Sequence, residues 1–314
     1  MLTGLRRSPF EHSLLLYCSD YQLSAQGKNM KVGCVMAFND FTTPEFIGEA
    51  AQYLESQGFH QFWVPEHVLF FPEYESRYPY TDDGRIAGEP RSLLDPFTSL
   101  TYVAAHTSKI RLGTGICLVP QRNPIYTAKM VADLDFLSNG RFELGVGIGW
   151  LKEEFEALGV PWEDRAGRTI ECIEVMHSLW CDEISSYDGK YYKVKAAYQN
   201  PKPVQKPHPP VLFGGESDAA LRRVATIGQG WYGFNLYPDA LEERLEFLQA
   251  RLAENGRSLS DIKIYAGMHP SVRGPSEMAR VEAMGVEQVI LGVMAGKMET
   301  LEVRAQKAMA AVHG

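Results

Sequence analysis

The sequence lacks the features that mark membrane-spanning, disulfide-stabilised and nucleic-acid-binding proteins. It contains no run of about 18 apolar residues, so we expect no membrane span. Its five cysteines show no C-x-x-C spacing, which predicts free thiols in a reducing compartment and no metal site. Acidic residues (39) outnumber basic ones (31), and the net charge of -8 disfavours nucleic acid or an anionic membrane as the main partner. From these absences we expect a cytoplasmic protein that acts on small molecules.

Internal repeats and low-complexity tracts are also missing. Hydrophobic residues make up 45% and charged residues 22% of the 314, as in an ordinary globular protein. Arg6 and Arg7 precede a short apolar run that could suggest an export signal, but Glu11 interrupts it and the run is too short. We therefore expect residues 1–29 to be an N-terminal extension outside the fold, and residues 30–314 to form one domain.

The most informative stretch begins with a predicted strand at residues 111–119. It is rich in β-branched and apolar residues, as a strand buried on both faces should be. Yet it contains Gly113 and Gly115, which predict a bulge, a bend or a closely packed ligand. A helix that begins at Pro124 leads to a second buried strand at 142–148, which also ends in glycines. This β-α-β unit predicts a ligand at the C-terminal ends of its strands.

Eight predicted strands alternate with helices, which indicates parallel strands covered by helices. The predicted strands are 31–38, 61–65, 111–119, 142–148, 211–213, 230–235, 262–268 and 289–293. Eight repeats over about 280 residues predict an α/β fold of the (β/α)8 TIM-barrel type, with insertions after strands two and four. An open doubly wound sheet is the alternative. Asp188-Gly189 predicts a β-hairpin within the second insertion.

The strand ends of such a barrel carry mostly glycine and apolar residues here. They are Phe38 and Asn39, Glu66 and His67, Gly115 to Leu118, Gly147 to Trp150, Gly214 to Ser217, Phe234 and Asn235, Met268 and His269, and Val293 and Met294. Because these strand ends carry so few ionisable groups, they suit a flat aromatic cofactor better than a charged substrate.

Four motifs in this chain resemble the bacterial luciferase-like superfamily, and more narrowly its branch that uses the deazaflavin coenzyme F420. They are Gly-Thr-Gly-Ile at 113–116, Arg-Asn-Pro at 122–124, Asp-Phe-Leu-Ser-Asn-Gly-Arg-Phe at 135–142 and Gly-Val-Gly-Ile-Gly-Trp at 145–150. The resemblance runs from about Met30 to the C-terminus. It implies a luciferase-like TIM barrel, an oxidoreductase activity and a homodimer.

The resemblance also implies a place for the cofactor ring. Gly115-Ile116 is expected to form a non-prolyl cis peptide bond in a bulge that supports one face of the ring. His67 is expected to contact the cofactor near its reactive carbon and to handle a proton, with Glu66 as its neighbour. Without the resemblance, Gly115 could simply relieve crowding in the barrel and His67 could be a hydrogen-bonded structural residue.

A phosphate site is predicted at the turn Gly214-Gly215-Glu216-Ser217. Backbone N–H groups and a helix N-terminus can bind a phosphate without lysine, and both candidate cofactors carry one. An ordinary capped helix start is the alternative. The other predicted cofactor-binding residues are Leu118, Gly147, Ile148 and Gly149.

Trp150 departs from part of the resembled branch. Sugar-phosphate dehydrogenases of that branch have an acidic glutamate at the matching place, so tryptophan favours an apolar or aromatic substrate instead. We expect Phe38, Phe71 and Trp150 to line the substrate pocket.

The predicted function is hydride transfer between coenzyme F420 and a small apolar or aromatic substrate. An F420 or flavin reductase could serve as the electron source. Two alternatives stay open: an FMN-dependent monooxygenase of the same fold that works with a separate flavin reductase, and a non-catalytic flavin- or deazaflavin-binding protein. A retaining glycosidase is disfavoured, because it needs two carboxylates about 5 Å apart where this chain has Trp150 and His269.

Overall fold

A computed structural model describes residues 30–88, 90–272 and 274–313. The predicted extension, residues 1–29, lies outside the described residues and stays a prediction. Cys34, Cys117, Cys172 and Cys181 are free thiols, as expected. Within the described ranges, no helix is long and apolar enough to cross a membrane, and no group of three or more histidine, cysteine or acidic side chains could hold a metal ion.

Eight parallel strands close into a barrel in the order β1-β10-β9-β8-β7-β4-β3-β2, so the predicted TIM barrel is confirmed. The barrel strands are β1 (Lys31–Val35), β2 (Gln61–Val64), β3 (Arg111–Thr114), β4 (Phe142–Val146), β7 (Val211–Gly214), β8 (Gly230–Leu236), β9 (Lys263–Met268) and β10 (Gln288–Gly292). The predicted hairpin is present as the antiparallel pair β5 (Ser185–Asp188) and β6 (Lys193–Ala197).

Nine α-helices are found in the described part of the chain. They are α1 (Pro44–Ser56), α2 (Pro96–His106), α3 (Pro124–Leu137), α4 (Lys152–Ala157), α5 (Arg165–Cys181), α6 (Asp218–Ile227), α7 (Pro238–Glu254), α8 (Pro275–Ala283) and α9 (Met298–His313). Several begin as the sequence predicts, with proline in the first turn and a polar N-cap. The side chains of Thr43, Asp95 and Asn123 each accept a backbone N–H from the helix that follows.

The third strand is shorter than predicted, ending at Thr114 rather than Val119. The chain leaves the ladder at Gly115 and returns to pair Cys117 with Val146 of β4 through an isolated bridge. A short 3-10 helix, Val119–Gln121, follows. The apolar residues after Gly115 therefore lie buried in a bulge at the barrel rim, and the strand does not continue through them. An apolar sequence pattern cannot distinguish these two conformations.

Aromatic side chains fill the middle of the barrel. The ring of Trp63 meets those of Tyr232 and Tyr265 edge-on, with centroids 5.0 and 5.8 Å apart. Beneath them, Trp63 Nε1 donates to Gln288 Oε1 at 2.8 Å. This packing fills the barrel interior. The C-terminal ends of the strands, where TIM barrels bind their ligands, are here called the mouth.

A buried carboxylate anchors the N-terminal end of the barrel. Glu143 is fully buried and pairs with Lys263 at 2.6 Å and with Arg111 at 3.1 Å. Burial raises the pKa of Glu143, but the two cations outweigh it and lower the pKa to about 2. The group stays ionised at neutral pH and ties β3, β4 and β9 together.

Two stacked histidines are buried beside the barrel. The rings of His177 on α5 and His208 before β7 lie 4.2 Å apart. Burial lowers the pKa of His208 to about 4, and burial together with the charge of His208 lowers that of His177 further. Both side chains are therefore neutral in the folded protein at neutral pH.

We expect stability to fall on mild acidification. Unfolded histidines bind protons near pH 6.5, whereas the folded pair resists protonation, so stability present above about pH 6.5 is lost as the pH falls towards about 4. At about pH 5, His208 alone should lower the free energy of unfolding by about 2 kcal/mol. Urea denaturation of wild type, His208→Gln and the exposed control His313→Gln checks this. An undiminished pH dependence in His208→Gln would contradict it.

Candidate active site

The bulge after β3 has the predicted conformation, since the Gly115–Ile116 peptide bond is cis. Backbone hydrogen bonds hold it between the neighbouring strands. Gly115 N donates to Val64 O of β2 at 2.8 Å, and Cys117 N donates to Gly145 O of β4 at 2.7 Å. The bulge therefore lies at the mouth with its position set from both sides.

Three glycines give the side chain of Ile116 its place in the mouth. A Cβ atom at Gly147 would lie 2.2 Å from Ile116 Cδ1, and one at Gly214 would lie 2.7 Å from it. A Cβ at Gly145 would lie 2.1 Å from the carbonyl oxygen of Thr114. The glycines at the ends of β4 and β7 are thus needed for the approach of the bulge, a role that the sequence prediction did not give them.

A buried hydroxyl lies beneath the bulge without a partner. Tyr232 of β8 is 2% exposed, and its Oη makes no hydrogen bond within the described structure. It approaches Gly115 so closely that a Cβ there would lie 3.1 Å from Oη. An unpaired buried hydroxyl is costly, and a polar ligand atom at the bulge would satisfy it.

Both ring nitrogens of His67 are occupied at the end of β2. Nδ1 lies 3.1 Å from Glu154 Oε2, and Nε2 lies 3.2 Å from Nε1 of Trp150. The carboxylate can only accept and the indole can only donate, which assigns the proton to Nδ1 and the lone pair to Nε2. His67 therefore presents an oriented imidazole to the mouth.

Glu154, at the start of α4, organises the loop after β2. Its fully buried carboxylate accepts the N–H groups of Val68 and Leu69 at 2.6 and 3.0 Å, in addition to His67 and Gln121. Burial raises its pKa, but the hydrogen bonds from His67, Leu69 and Gln121 outweigh it and hold the pKa below its ordinary value. The sequence prediction missed this residue, because nothing local to Glu153-Glu154 indicates a partner more than 80 residues away.

The carboxylate of Glu66 binds groups of the loop that follows the bulge. Its Oε2 accepts the N–H of Leu118 at 2.6 Å, and its Oε1 accepts from Arg122 Nε at 2.5 Å. Arg122 also pairs with Asp95, the N-cap of α2. Glu66 and the amide of Leu118, both predicted as cofactor-binding, thus hold the loop after the bulge.

The turn after β7 joins a helix cap to an acidic side chain. Ser217 Oγ accepts the N–H of Ala220 at 3.3 Å, which caps α6. Glu216 Oε1 accepts the N–H of Phe234 at 2.7 Å. The predicted phosphate turn therefore contains a serine-capped helix N-terminus and a carboxyl group that bonds to β8.

A row of aromatic rings crosses the mouth. Consecutive ring centroids lie 4.9 to 5.7 Å apart. The row consists of Phe70, His67, Trp150, Tyr78, Tyr80 and Phe234, in that order. It begins at the end of β2, includes Trp150 just after β4 and ends at Phe234 of β8, so it connects three strand ends at the mouth.

Four further predicted site residues lie outside the contacts described above: Phe38, Phe71, Ile148 and Gly149. Phe38 is 1% exposed and stacks on Phe62 in the core, with ring centroids 5.8 Å apart, so it lies behind the mouth. Phe71 and Ile148 are half-buried near the rim. Gly149 has a positive φ of 78°, which lets the chain turn sharply into Trp150.

Comparison with known proteins identifies the family. The model of the luciferase-like monooxygenase family matches residues 15–314. The chain belongs to this family. It is 35% identical over 246 residues to an uncharacterized protein of Mycobacterium tuberculosis, covering 78% of this chain and 86% of that one.

Two further relatives differ in the cofactor that their names print. An FMNH(2)-dependent dimethylsulfone monooxygenase of Pseudomonas putida is 32% identical over 180 residues, 56% of this chain and 48% of that protein. The coenzyme F420-dependent tetrahydromethanopterin reductase of Methanopyrus kandleri superposes with a TM-score of 0.68 at 19% identity, over 90% of this chain and 99% of that one. The family is one of oxidoreductases and monooxygenases.

We expect Gly147→Ala to destabilise the protein through Ile116. The new methyl group would overlap Ile116 Cδ1, and overpacking of this kind costs about 1–3 kcal/mol. Ile116→Val removes Cδ1 and should recover part of the loss in the double variant. Chemical denaturation of both single variants and the double variant measures this coupling. Additive effects would show that the two residues do not share the space.

Proposed function

We propose that this family member is an F420-dependent oxidoreductase that transfers a hydride between the deazaflavin and a small, apolar or aromatic substrate. The observation that carries the proposal is the bulge itself. Ile116 sits over three glycines at the mouth, and the buried Tyr232 hydroxyl beneath it has no partner within the described structure. A flat ring with polar edge atoms fits such a platform.

The chain's residues fit the cofactor in three places. The Gly115–Ile116 bulge would support the ring, and Tyr232 would bond a polar atom at its edge. The N–H groups of the turn Gly214–Ser217 and the start of α6 would hold the phosphate. When bound, the deazaflavin supplies the carbon that gives or accepts the hydride.

His67 and Glu154 would orient and assist the ring. Glu154 fixes the imidazole with its proton on Nδ1, so Nε2 is the atom that faces the mouth. Trp150 Nε1 occupies Nε2 in this structure, and we propose that the cofactor takes its place. The aromatic row would then close over the ring and exclude water from the reacting atoms.

The apolar walls favour an uncharged substrate. Trp150, Tyr78, Tyr80 and Phe234 are consecutive rings of the aromatic row at the mouth. The family resemblance places Trp150 where sugar-phosphate dehydrogenases of the F420 branch have a glutamate. Aromatic walls bind apolar and planar molecules through contact area rather than charge.

A second candidate is an FMN-dependent monooxygenase that receives reduced flavin from a separate reductase. The observation that favours it is the similarity to the FMNH(2)-dependent monooxygenase of Pseudomonas putida, which exceeds 30% identity over the matched segment. The same bulge and turn would hold FMN, which also carries a planar ring and a phosphate.

Equilibrium titration of the purified protein with coenzyme F420 and with FMN, followed by fluorescence, distinguishes the two. We expect F420 to bind at least tenfold more tightly, a difference of about 1.4 kcal/mol. Preference for FMN would support the monooxygenase, and binding of neither would overturn both.

The phosphate turn is tested by Ser217→Ala with Thr43→Ala as its matched control. Both hydroxyls cap a helix, so each change should cost about 1 kcal/mol of stability. Only Ser217→Ala should also weaken cofactor binding, by about 1 kcal/mol or roughly fivefold. Equal cofactor affinity in both variants would argue against a phosphate at this turn.

His67→Ala should weaken the binding of the ring by about fivefold, because it removes an oriented hydrogen-bonding group worth about 1 kcal/mol. Glu154→Gln keeps the imidazole but replaces its anionic acceptor, so we expect a smaller loss. Isothermal titration of each variant with the cofactor measures which variant loses more affinity. A greater loss in Glu154→Gln than in His67→Ala would return His67 to a structural role.

A further inference from the structure

The insertion after β2 contains an extended segment, residues 74–80, that lies against the mouth. Its even-numbered residues are half-buried and its odd-numbered residues are exposed: Tyr74, Ser76, Tyr78 and Tyr80 alternate with Glu75, Arg77 and Pro79. A period of two is typical of an extended chain with one covered face. The segment belongs to no strand of the described chain, so its backbone groups must find their hydrogen-bond partners outside the sheet.

The chain from residue 74 to residue 86, here called the flap, closes on itself. Arg85 Nη1 donates to the carbonyl oxygen of Tyr74 at 2.8 Å, and the Tyr74 hydroxyl group accepts the N–H of Ile86 at 3.1 Å. The Arg85 guanidinium also lies over the Tyr74 ring, 4.5 Å from its centroid. Because the flap is packed by its own side chains, its position on the barrel depends on a small number of attachments.

The first attachment joins the flap to α4. Glu153 Oε1 accepts the N–H groups of Glu75 and Ser76 at 2.6 and 3.1 Å, and Glu153 Oε2 accepts the Ser76 hydroxyl group at 2.7 Å. Ser76 Oγ in turn accepts the N–H of Lys152 at 2.9 Å. The residue before α4 is Leu151, whose apolar side chain cannot cap a helix, so Ser76 takes this role from the flap. Hydrogen bonds to a carboxylate are stronger than neutral ones, so this attachment is firm.

The second attachment joins the flap to the end of β8 and is weaker. Asn235 Nδ2 donates to the carbonyl oxygen of Tyr80 at 3.3 Å, a neutral hydrogen bond that is longer than the usual value of about 2.9 Å. The Tyr80 ring also meets the ring of Phe234 edge-on, with centroids 4.9 Å apart. Four hydrogen bonds hold the flap at α4, three of them to a carboxylate, so the flap should detach from β8 first.

The backbone of β8 is distorted at the residue that makes this second attachment. Asn235 has a φ of 56°, which few residues other than glycine adopt and which asparagine tolerates. The pairing of β8 with β9 also shifts its register between Gly233 and Leu236. Such irregularities at the rim of a barrel redirect a side chain, and here the redirected amide reaches the flap.

The flap holds Trp150 between two tyrosines. The ring centroids of Tyr74 and Tyr78 lie 5.7 and 5.1 Å from that of Trp150, whose Nε1 donates to His67 Nε2 at 3.2 Å. Tyr74 lies on the α4 side of the flap, whereas Tyr78 lies next to the part that is held at β8. Detachment from β8 would withdraw Tyr78 from the indole, so that Trp150 could leave His67.

We infer that the flap is a hinged wall of the mouth, which stays attached to α4 and opens at β8, where Asn235 is the positioning residue that holds it closed. The movement breaks one hydrogen bond and one ring contact and changes no covalent bond. That the open flap admits the cofactor rests on the proposed function; the opening itself does not.

Hydrogen–deuterium exchange of the cofactor-free protein shows which end of the flap opens. Peptides of residues 74–77 report the N–H groups bonded to Glu153, and peptides of residues 78–86 report the part held at β8. Asn235→Asp keeps the size of the side chain and tolerates the positive φ, but it cannot donate to Tyr80. We expect exchange over residues 78–86 to rise about fivefold, as the loss of one neutral hydrogen bond implies, and exchange over residues 74–77 to stay unchanged.

Three further variants separate the amide from the backbone and from the added charge. Asn235→Gly keeps the positive φ and removes the amide without adding a charge, so it should act as Asn235→Asp does. Asn139 at the end of α3 has the same φ of 56°, and Asn139→Asp should leave the flap unchanged. Glu153→Gln weakens the other attachment and should raise exchange over residues 74–77.

Peptides from β4 and β9 serve as the internal reference for global stability. Unchanged exchange over residues 78–86 in both Asn235 variants would overturn the inference. An equal rise over both parts of the flap would overturn it as well, because the flap would then leave α4 and β8 together.

Stopped-flow mixing with coenzyme F420 relates the flap to the proposed function. Asn235→Gly should raise the association rate about fivefold, whereas Asn139→Asp should leave the rate unchanged. Faster exchange with an unchanged association rate would overturn control of entry by the flap but not its hinge. Failure of coenzyme F420 to bind any variant would count against the proposed function, and the exchange measurements, which need no ligand, would still decide the inference.

Discussion

The close approach of the β3 bulge to the ends of β4 and β7 is the constraint on which the mouth depends. Gly145 lets the Thr114 carbonyl pass, and Gly147 and Gly214 leave room for the side chain of Ile116. A side chain at any of these glycines would push the bulge away from the barrel axis. The position of the bulge at the mouth thus requires three neighbouring residues without side chains. Tyr232 supports the bulge from within the barrel.

Buried carboxylates shape the loops around this platform. Glu66 holds the segment after the bulge through Leu118 and Arg122, and Glu154 holds the segment after β2 through two backbone N–H groups. Each carboxylate satisfies donors that a long irregular loop would otherwise leave unpaired beneath the surface. The insertion after β2 can therefore be long and still ordered, and it can carry aromatic side chains across the mouth.

The sequence predicted the barrel well because its signals are local. Alternation of apolar strands with capped helices indicated eight units, and β2 and β4 differ from their predicted bounds by only one or two residues. The first strand ends at Val35 rather than Phe38, and the third strand departs furthest from its predicted bounds. Its apolar pattern continues past Thr114 although its backbone does not, since burial in a bulge and burial in a strand select the same residue types.

The site was predictable only in part. Strand ends could be read from the pattern, so His67, Gly115 and Glu216 were located at the mouth from the sequence. The cis bond at Gly115–Ile116 came from the family resemblance, because no local pattern encodes it. Glu154 was missed because its partners come from a loop more than 80 residues earlier, and local periodicity does not report contacts of that range.

An acidic residue inside the proposed phosphate turn requires an explanation in physical terms. A phosphate at Gly214–Ser217 and an ionised Glu216 would repel each other if they shared one space. The two would lie in different directions, because Glu216 Oε1 already accepts the N–H of Phe234 in β8, whereas the phosphate would bind the N–H groups at the start of α6. Burial also raises the pKa of Glu216 to about 7, so the carboxyl group is partly neutral at pH 7 and its repulsion of a phosphate would be smaller.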